Sequence, residues 1–227
     1  MHILLTNDDG VSARGIGILE EVMSVHADKV TVVAPVGQRS AASHSMSINK
    51  DLYCQEIESN YPNVRKFSVN GTPVDCVKTA LEFFLADDMP DLIISGINDG
   101  YNLGSDVLYS GTVSAAMEGP YYQMPAIAVS IGKLTEVRGY ETAGLVVEII
   151  DRVIVGGKFP GILNVNVPGK KGKISIDNVV VVPQAVQIYR NVILQKKDRD
   201  GATCFRVVGD SDMSTAPQFI DIAGIRR

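Results

Sequence analysis

Two adjacent carboxylates, Asp8 and Asp9, end an apolar run that starts at the second residue: His2-Ile3-Leu4-Leu5-Thr6-Asn7-Asp8-Asp9-Gly10. Neighbouring carboxylates repel unless a proton or a cation is shared between them. Their oxygens suit hard divalent ions such as Mg²⁺, Mn²⁺ or Ca²⁺, so the pair is a candidate metal site. The same residues also turn a chain and cap a following helix. On these residues alone both readings stand.

Further loops carry related chemistry. Residues 34–45, Ala-Pro-Val-Gly-Gln-Arg-Ser-Ala-Ala-Ser-His-Ser, are small and rich in hydroxyls. They suit close approach of donors to an anion, or simply a solvated loop. Residues 96–104 place Asn98 after an apolar run, where a neutral carbonyl oxygen could complete a shell of oxygen ligands; Asn in a Gly-rich loop is also a turn residue. Ser110-Gly111-Thr112-Val113-Ser114-Ala115-Ala116 reads as a helix start with Ser110 or Thr112 as its N-cap. Exposed amides and the helix dipole at such a start favour a phosphate, and an ordinary capped helix fits the same residues. The convergence of these loops on Asp, Asn, Ser, Thr and Gly argues for a site.

The elements needed to position them are legible. Apolar runs at residues 3–6, 29–34, 92–95, 126–131 and 162–167 read as buried strands. Between them lie helix-period segments: residues 15–27, with Ile16, Leu19, Val22 and Met23 on one face; the stripe Val77, Ala80, Leu81 and Phe84; and that of Leu145, Ile149 and Val153. Alternating strands and helices predict a Rossmann-like, doubly wound α/β fold with a mostly parallel sheet. Ligands of such sheets bind at the carboxyl ends of the strands, where the polar loops stand. After Pro168 the rhythm changes to β-rich: 174–182, 186–195 and 204–209 have strand composition, and Asp200-Gly201 is a hairpin turn signal. The expected organisation is a catalytic domain over 1–168 and a C-terminal β-hairpin extension over 169–227. Because long hairpins leave unpaired edges, the extension is a candidate oligomer contact.

Bulk properties exclude several classes. At 227 residues, 45% hydrophobic, the chain has enough apolar content for a folded core. A net charge of -5 without a Lys/Arg block argues against a nucleic-acid polymer as main partner. An anionic substrate would need a local cation. Cys54, Cys76 and Cys204 form no C-x-x-C pair and read as thiols of a reducing compartment. No apolar stretch approaches the ~20 residues that span a bilayer, and the chain opens directly into a strand rather than a signal peptide. The expectation is a cytoplasmic protein with no membrane partner.

Thr6-Asn7-Asp8-Asp9-Gly10, Arg39-Ser40-Ala41 with Ser43-His44-Ser45, Asn70-Gly71-Thr72-Pro73-Val74-Asp75-Cys76, Ser95-Gly96-Ile97-Asn98 and Ser110-Gly111-Thr112 through Glu118-Gly119 together resemble the survival protein E (SurE) family of metal-dependent nucleotidases. The resemblance implies one divalent metal ion per subunit, Mg²⁺ or Mn²⁺, held by Asp8, Asp9, Ser40 and Asn98. It implies release of phosphate from nucleoside 5′-monophosphates, with 3′-nucleotides and short polyphosphate as further substrates, by attack of metal-bound water. Asp8 and Asp9 are then the catalytic pair, and Asn7, Ser110, Gly111 and Thr112 the substrate contacts. His44 is a candidate proton shuttle, and the assembly is a homodimer or homotetramer. Val36, Asp99 and residues 210–227 depart from the family pattern without removing a ligand.

Rival readings fit less well. A receiver domain needs a phospho-accepting Asp where Asn98 stands, and is about a hundred residues shorter. A haloacid-dehalogenase phosphatase needs two aspartates separated by one residue. A non-catalytic Rossmann protein needs G-x-G-x-x-G, whereas Gly10, Gly15 and Gly17 are wrongly spaced.

Overall fold

A computed structural model of the chain describes residues 1–155, 161–169, 172–186, 188–190, 193–208, 210–212 and 221. It divides into two compact units, Met1–Asn102 with Val107–Val180, and Leu103–Asp106 with Val181–Arg227.

The first unit is built on a seven-stranded sheet. Its strands are β1 (His2–Thr6), β2 (Lys29–Pro35), β3 (Cys54–Ile57), β4 (Val64–Val69), β5 (Leu92–Asp99), β6 (Ala126–Ile131) and β7 (Ile162–Val167), in the order β3-β4-β2-β1-β5-β6-β7. All neighbours are parallel except β3, which lies antiparallel to β4. Strand order runs outward in one direction from β1 to β2 and in the other from β5 to β6. The β1/β5 boundary is therefore the topological switch point, where the sequence puts Asp8-Asp9 and Asn98.

Successive residues of β1 point to opposite faces. Ile3 and Leu5 join the core beneath α1 (Arg14–His26) and, further along the chain, α4 (Glu136–Ile149). Leu4 joins the other core, with Cys76 and Val77 of α2 (Pro73–Thr79) and Val113 and Ala116 of α3 (Gly111–Tyr121). Both sheet faces are thus covered, which is why the strands read as continuous apolar runs. The expected α/β class and all five strands expected before Pro168 are present.

The sequence reading missed β3 and β4. β3 is exposed and polar in composition, and β4 carries Arg65 and Lys66 in mid-strand. The helical stripe 77–84 is α2 continued by a π-helical turn, Ala80–Phe84. The strand expected over 174–182 is absent. Residues 176–178 form a 3₁₀ turn, and Val180 and Val181 are exposed without a ladder partner. A β-branched run becomes a strand only where a neighbour pairs with it.

In the second unit, β8 (Ile188–Arg190) pairs antiparallel with β11 (Asp210–Asp212), and β9 (Ile193–Lys197) with β10 (Thr203–Val207). The single strand expected over 186–195 is therefore two, β8 and β9. The β9–β10 hairpin turns where Asp200-Gly201 predicted: Gly201 has φ +80, and Asp198 Oδ1 accepts the N–H groups of Asp200 and Ala202. No helix among the described residues is long and apolar enough to cross a membrane.

Candidate metal and phosphate site

β1 ends in a turn that the sequence closes on itself. Asn7 donates from Nδ2 to the Gly10 carbonyl at 2.9 Å and accepts the Gly10 N–H at 3.1 Å. Gly10 sits at φ +106, a region L side chains rarely enter. Asn7 is fully buried. It braces the turn that presents the two carboxylates.

Asp8 is buried against the start of α3. Its Oδ1 accepts the Thr112 hydroxyl, and the Asp8 and Thr112 N–H groups also donate to the carboxylate. Burial nevertheless outweighs these donors and pushes the Asp8 carboxyl above its ordinary range. Gly111 makes this approach possible: a Cβ there would lie 2.8 Å from Asp8 Cβ and 3.2 Å from its Oδ2. Thr112 is fully buried, with both its donors committed to Asp8. These bonds orient Asp8.

Asp9 is more open. Its carboxyl is also pushed up, first by burial and then by the charges of Asp8 and Asp99, against donation from the Asp99 N–H and the Gln38 side chain. The Asp99 amide ties Asp9 to the end of β5. There Asn98 donates from Nδ2 to the Gly100 carbonyl at 2.9 Å, leaving Oδ1 as a free acceptor among the described residues.

The loop after β2 is tied to the same place, because the Arg39 N–H donates to the Asp8 carbonyl at 2.7 Å. Ser40, next in the chain, is exposed. Ser110 is the N-cap of α3, its oxygen accepting the Val113 N–H at 3.1 Å. That leaves the Ser110 hydroxyl proton, and the Gly111 N–H at the first helical position, pointing out of the helix. Beneath the site, Thr6 Oγ1 and Ser95 Oγ are buried without a hydrogen-bond partner among the described residues, and these residues stand side by side in β1 and β5.

Among the described residues, neither Asp8 nor Asp9 forms an ion pair with Lys, Arg or His. Two neighbouring carboxylates drawn out of water, with no ion pair to a cation among the described residues, suit a hard divalent ion. The residues present fit such a group.

His44 does not join this cluster. Its Nε2 lies 2.5 Å from Glu118 Oε1, on the third turn of α3, and Lys78 Nζ approaches the other Glu118 oxygen at 3.6 Å. Sequence reasoning placed Glu118 in a family motif but gave it no role, because its partner is 74 positions away.

Comparison with known proteins gives a match to the family Survival protein SurE over residues 3–191. The 5′-nucleotidase SurE of Heliobacterium modesticaldum is 40% identical over 232 residues, covering 99% of this chain and 82% of that protein. The 5′-nucleotidase SurE of Carboxydothermus hydrogenoformans is 39% identical over 231 residues, covering 100% and 87%. Among solved structures, the crystal structure of SurE protein from Aquifex aeolicus superposes with a TM-score of 0.80 at 32% identity, covering 97% of this chain and 87% of that one.

Proposed function

The chain belongs to the survival protein SurE family, and on that premise we propose that it is a metal-dependent phosphatase that releases phosphate from nucleoside 5′-monophosphates. One observation carries this reading: the Asp8-Asp9 pair, without a protein cation, stands at the β1/β5 switch point and faces the N-terminus of α3.

Asp8, Asp9, Ser40 and Asn98 would hold one divalent ion, Mg²⁺ or Mn²⁺. When bound, such an ion supplies Lewis acidity, offsetting phosphoryl charge and activating water. The chain supplies the rest. Thr112 and Gly111 fix Asp8 in one position. The Gly111 N–H and the Ser110 hydroxyl donate to phosphoryl oxygens, where donors already in place act on developing charge. Asp9, the more open carboxylate, takes the proton of the attacking water at its own oxygen.

Attack is a single in-line displacement without a phosphoenzyme. No cysteine lies in these loops; Cys76 is buried in α2. His44 Nε2 is already engaged by Glu118. A chiral phosphate ester hydrolysed in labelled water should give inversion at phosphorus; retention overturns this part of the reading.

The reading as a whole is tested by phosphate release from a panel of nucleoside 5′-monophosphates, with EDTA and with added Mg²⁺ or Mn²⁺. The resemblance extends the panel to 3′-nucleotides and short polyphosphate. Release that survives exhaustive chelation sinks the metal-dependent mechanism.

The reading includes self-association as a homodimer or homotetramer in the cytoplasm. One face of the β9–β10 hairpin exposes Ile193, Phe205 and Val207, an apolar surface suited to a subunit contact. Charged substitutions at Phe205 and Val207 should lower the mass found by sedimentation.

A further inference from the structure

The pairing of His44 with Glu118 has the form of an oriented acid. A carboxylate only accepts hydrogen bonds, so the 2.5 Å contact requires a proton on His44 Nε2. Glu118 is nearly sealed, with 6% of its side chain exposed, and Lys78 at 3.6 Å holds its second oxygen. The carboxylate is thus fixed from both sides. It fixes the imidazole in turn, leaving Nδ1 as the nitrogen without a protein partner among the described residues. His44 itself is one-third exposed.

Position along α3 adds a direction. Gly111, Ser114 and Glu118 are spaced three and four residues apart and share one stripe of the helix. Gly111 lies against Asp8, and Glu118 lies about 10 Å further along the axis. Helical side chains lean toward the N-terminus, so the Glu118 carboxylate reaches back toward the site. The loop bearing His44 follows the same line. Arg39 is tied to Asp8, the Ser43 N–H donates to the Tyr109 carbonyl at 3.1 Å, and Ser43 Oγ to the Leu108 carbonyl at 2.7 Å, just before the α3 N-cap. The loop therefore runs from Asp8 past the α3 N-cap to Glu118, and His44 lies on that line along α3. A phosphate held at the N-terminus would have its ester oxygen and nucleoside on the outer side.

We propose that His44 protonates the leaving ester oxygen and that Glu118 is the positioning residue that holds it to this task. The proposal rests on the phosphatase reading above. In the step, the water oxygen forms a bond to phosphorus and the phosphorus–O5′ bond breaks. O5′ takes the proton from His44 Nδ1, and the water proton goes to Asp9. The products are a nucleoside and phosphate, and solvent returns the His44 proton.

Leaving-group dependence tests it. A nucleoside alkoxide needs protonation to depart, whereas p-nitrophenolate leaves unaided. Turnover of a nucleoside 5′-monophosphate and of p-nitrophenyl phosphate is measured for the wild type, His44→Ala, Glu118→Gln and the double variant. For the nucleotide, kcat should fall about 10²-fold in His44→Ala, the range of one general acid. It should fall about tenfold in Glu118→Gln, with KM unchanged within twofold, and the double variant should be no slower than His44→Ala. For p-nitrophenyl phosphate every variant should keep at least a third of wild-type kcat. Equal losses on both substrates would make the pair a structural clasp and overturn the proposal, as would no loss on either. If Glu118→Gln fails to fold, Glu118→Asp takes its place, and His44→Ala alone still decides the acid. Wild-type enzyme that releases no phosphate from any nucleotide would instead defeat the phosphatase reading.

Discussion

Two groups of buried carboxylates in the sheet unit are treated in opposite ways. Glu20, on α1, meets Lys66 Nζ of β4 at 2.6 Å and accepts the Ser59 hydroxyl at 2.7 Å, with both charged side chains largely covered. Asp75, on α2, completes a capping box with Thr72 and accepts the Ser47 N–H at 2.9 Å. These acids come with partners supplied by the fold. Asp8 and Asp9 are crowded together at the switch point with hydrogen-bond donors but no cation among the described residues, and their carboxyls are pushed up, whereas that of Asp75 is held down. A protein that buries charge for stability pairs it, whereas one that buries charge for function leaves a place for something from outside.

The largest effect expected from this contrast is on turnover. Asp8→Asn keeps the size of the side chain and most of its contacts but lowers the ligand charge. Phosphate release should fall by at least about 10³-fold, more than 4 kcal/mol of transition-state stabilisation, while the melting temperature moves little. EDTA on the wild type should have the same effect, reversed by Mg²⁺ or Mn²⁺. If Asp8→Asn unfolds the protein, the pair is structural after all and the contrast fails.

Lys66→Met should give the mirror image. It leaves Glu20 buried and unpaired, so urea denaturation should register a loss of about 3 kcal/mol, the lower range for breaking a buried pair. Turnover of the folded variant should stay within twofold of wild type. A matching loss of kcat would mean that this face of the sheet communicates with the site.

The same contrast explains what could be read in advance. Five parallel strands were legible because four are largely apolar on both faces and β7 on one, and Asp8-Asp9 was legible because it ends the first of them. β4 was not, because Lys66 breaks its apolar pattern for the sake of Glu20, a partner 46 positions away. His44 with Glu118 was hidden for the same reason: pairing across the fold leaves no local periodicity. Thr112 and Asn7 carried the right residue types at the right end of the sheet. Their hydrogen bonds, however, run inward, to Asp8 and to the Gly10 backbone, and a sequence shows residue type but not which way a donor faces.

Asp75 sharpens the contrast through pH. Burial pushes its carboxyl up, but the N–H groups of Ser47 and Thr72 prevail and hold it below the ordinary value of 3.8. A depressed carboxyl adds stability above its unfolded-state value and loses it as pH falls through the folded-state one. Asp75→Asn should therefore cost about 1 kcal/mol at neutral pH, as loss of a helix cap does. That gap should shrink as the pH drops below 3.8. Denaturation at a series of pH values measures it; a gap that does not change with pH would separate the cap from its charge.

Asp9 should do the reverse, by a smaller amount. Its carboxyl is raised above 3.8, first by burial and then by the Asp8 charge. A raised carboxyl contributes stability that is fully present below the unfolded-state value and lost as pH rises through the folded-state one. The metal-free protein should thus weaken as the pH climbs from about 3.8 toward neutrality, and Asp9→Asn, which does not titrate, should be spared. In EDTA at pH 7 the variant should melt higher than the wild type by a few degrees, and the two should converge in acid. Adding Mg²⁺ should reverse the order, because a cation bound to the native state stabilises only the chain that retains both carboxylates. Melting curves with and without Mg²⁺ across this range decide the point. If Asp9→Asn melts lower than the wild type in EDTA, Asp9 already has its partner within the fold, and the place left for a cation disappears.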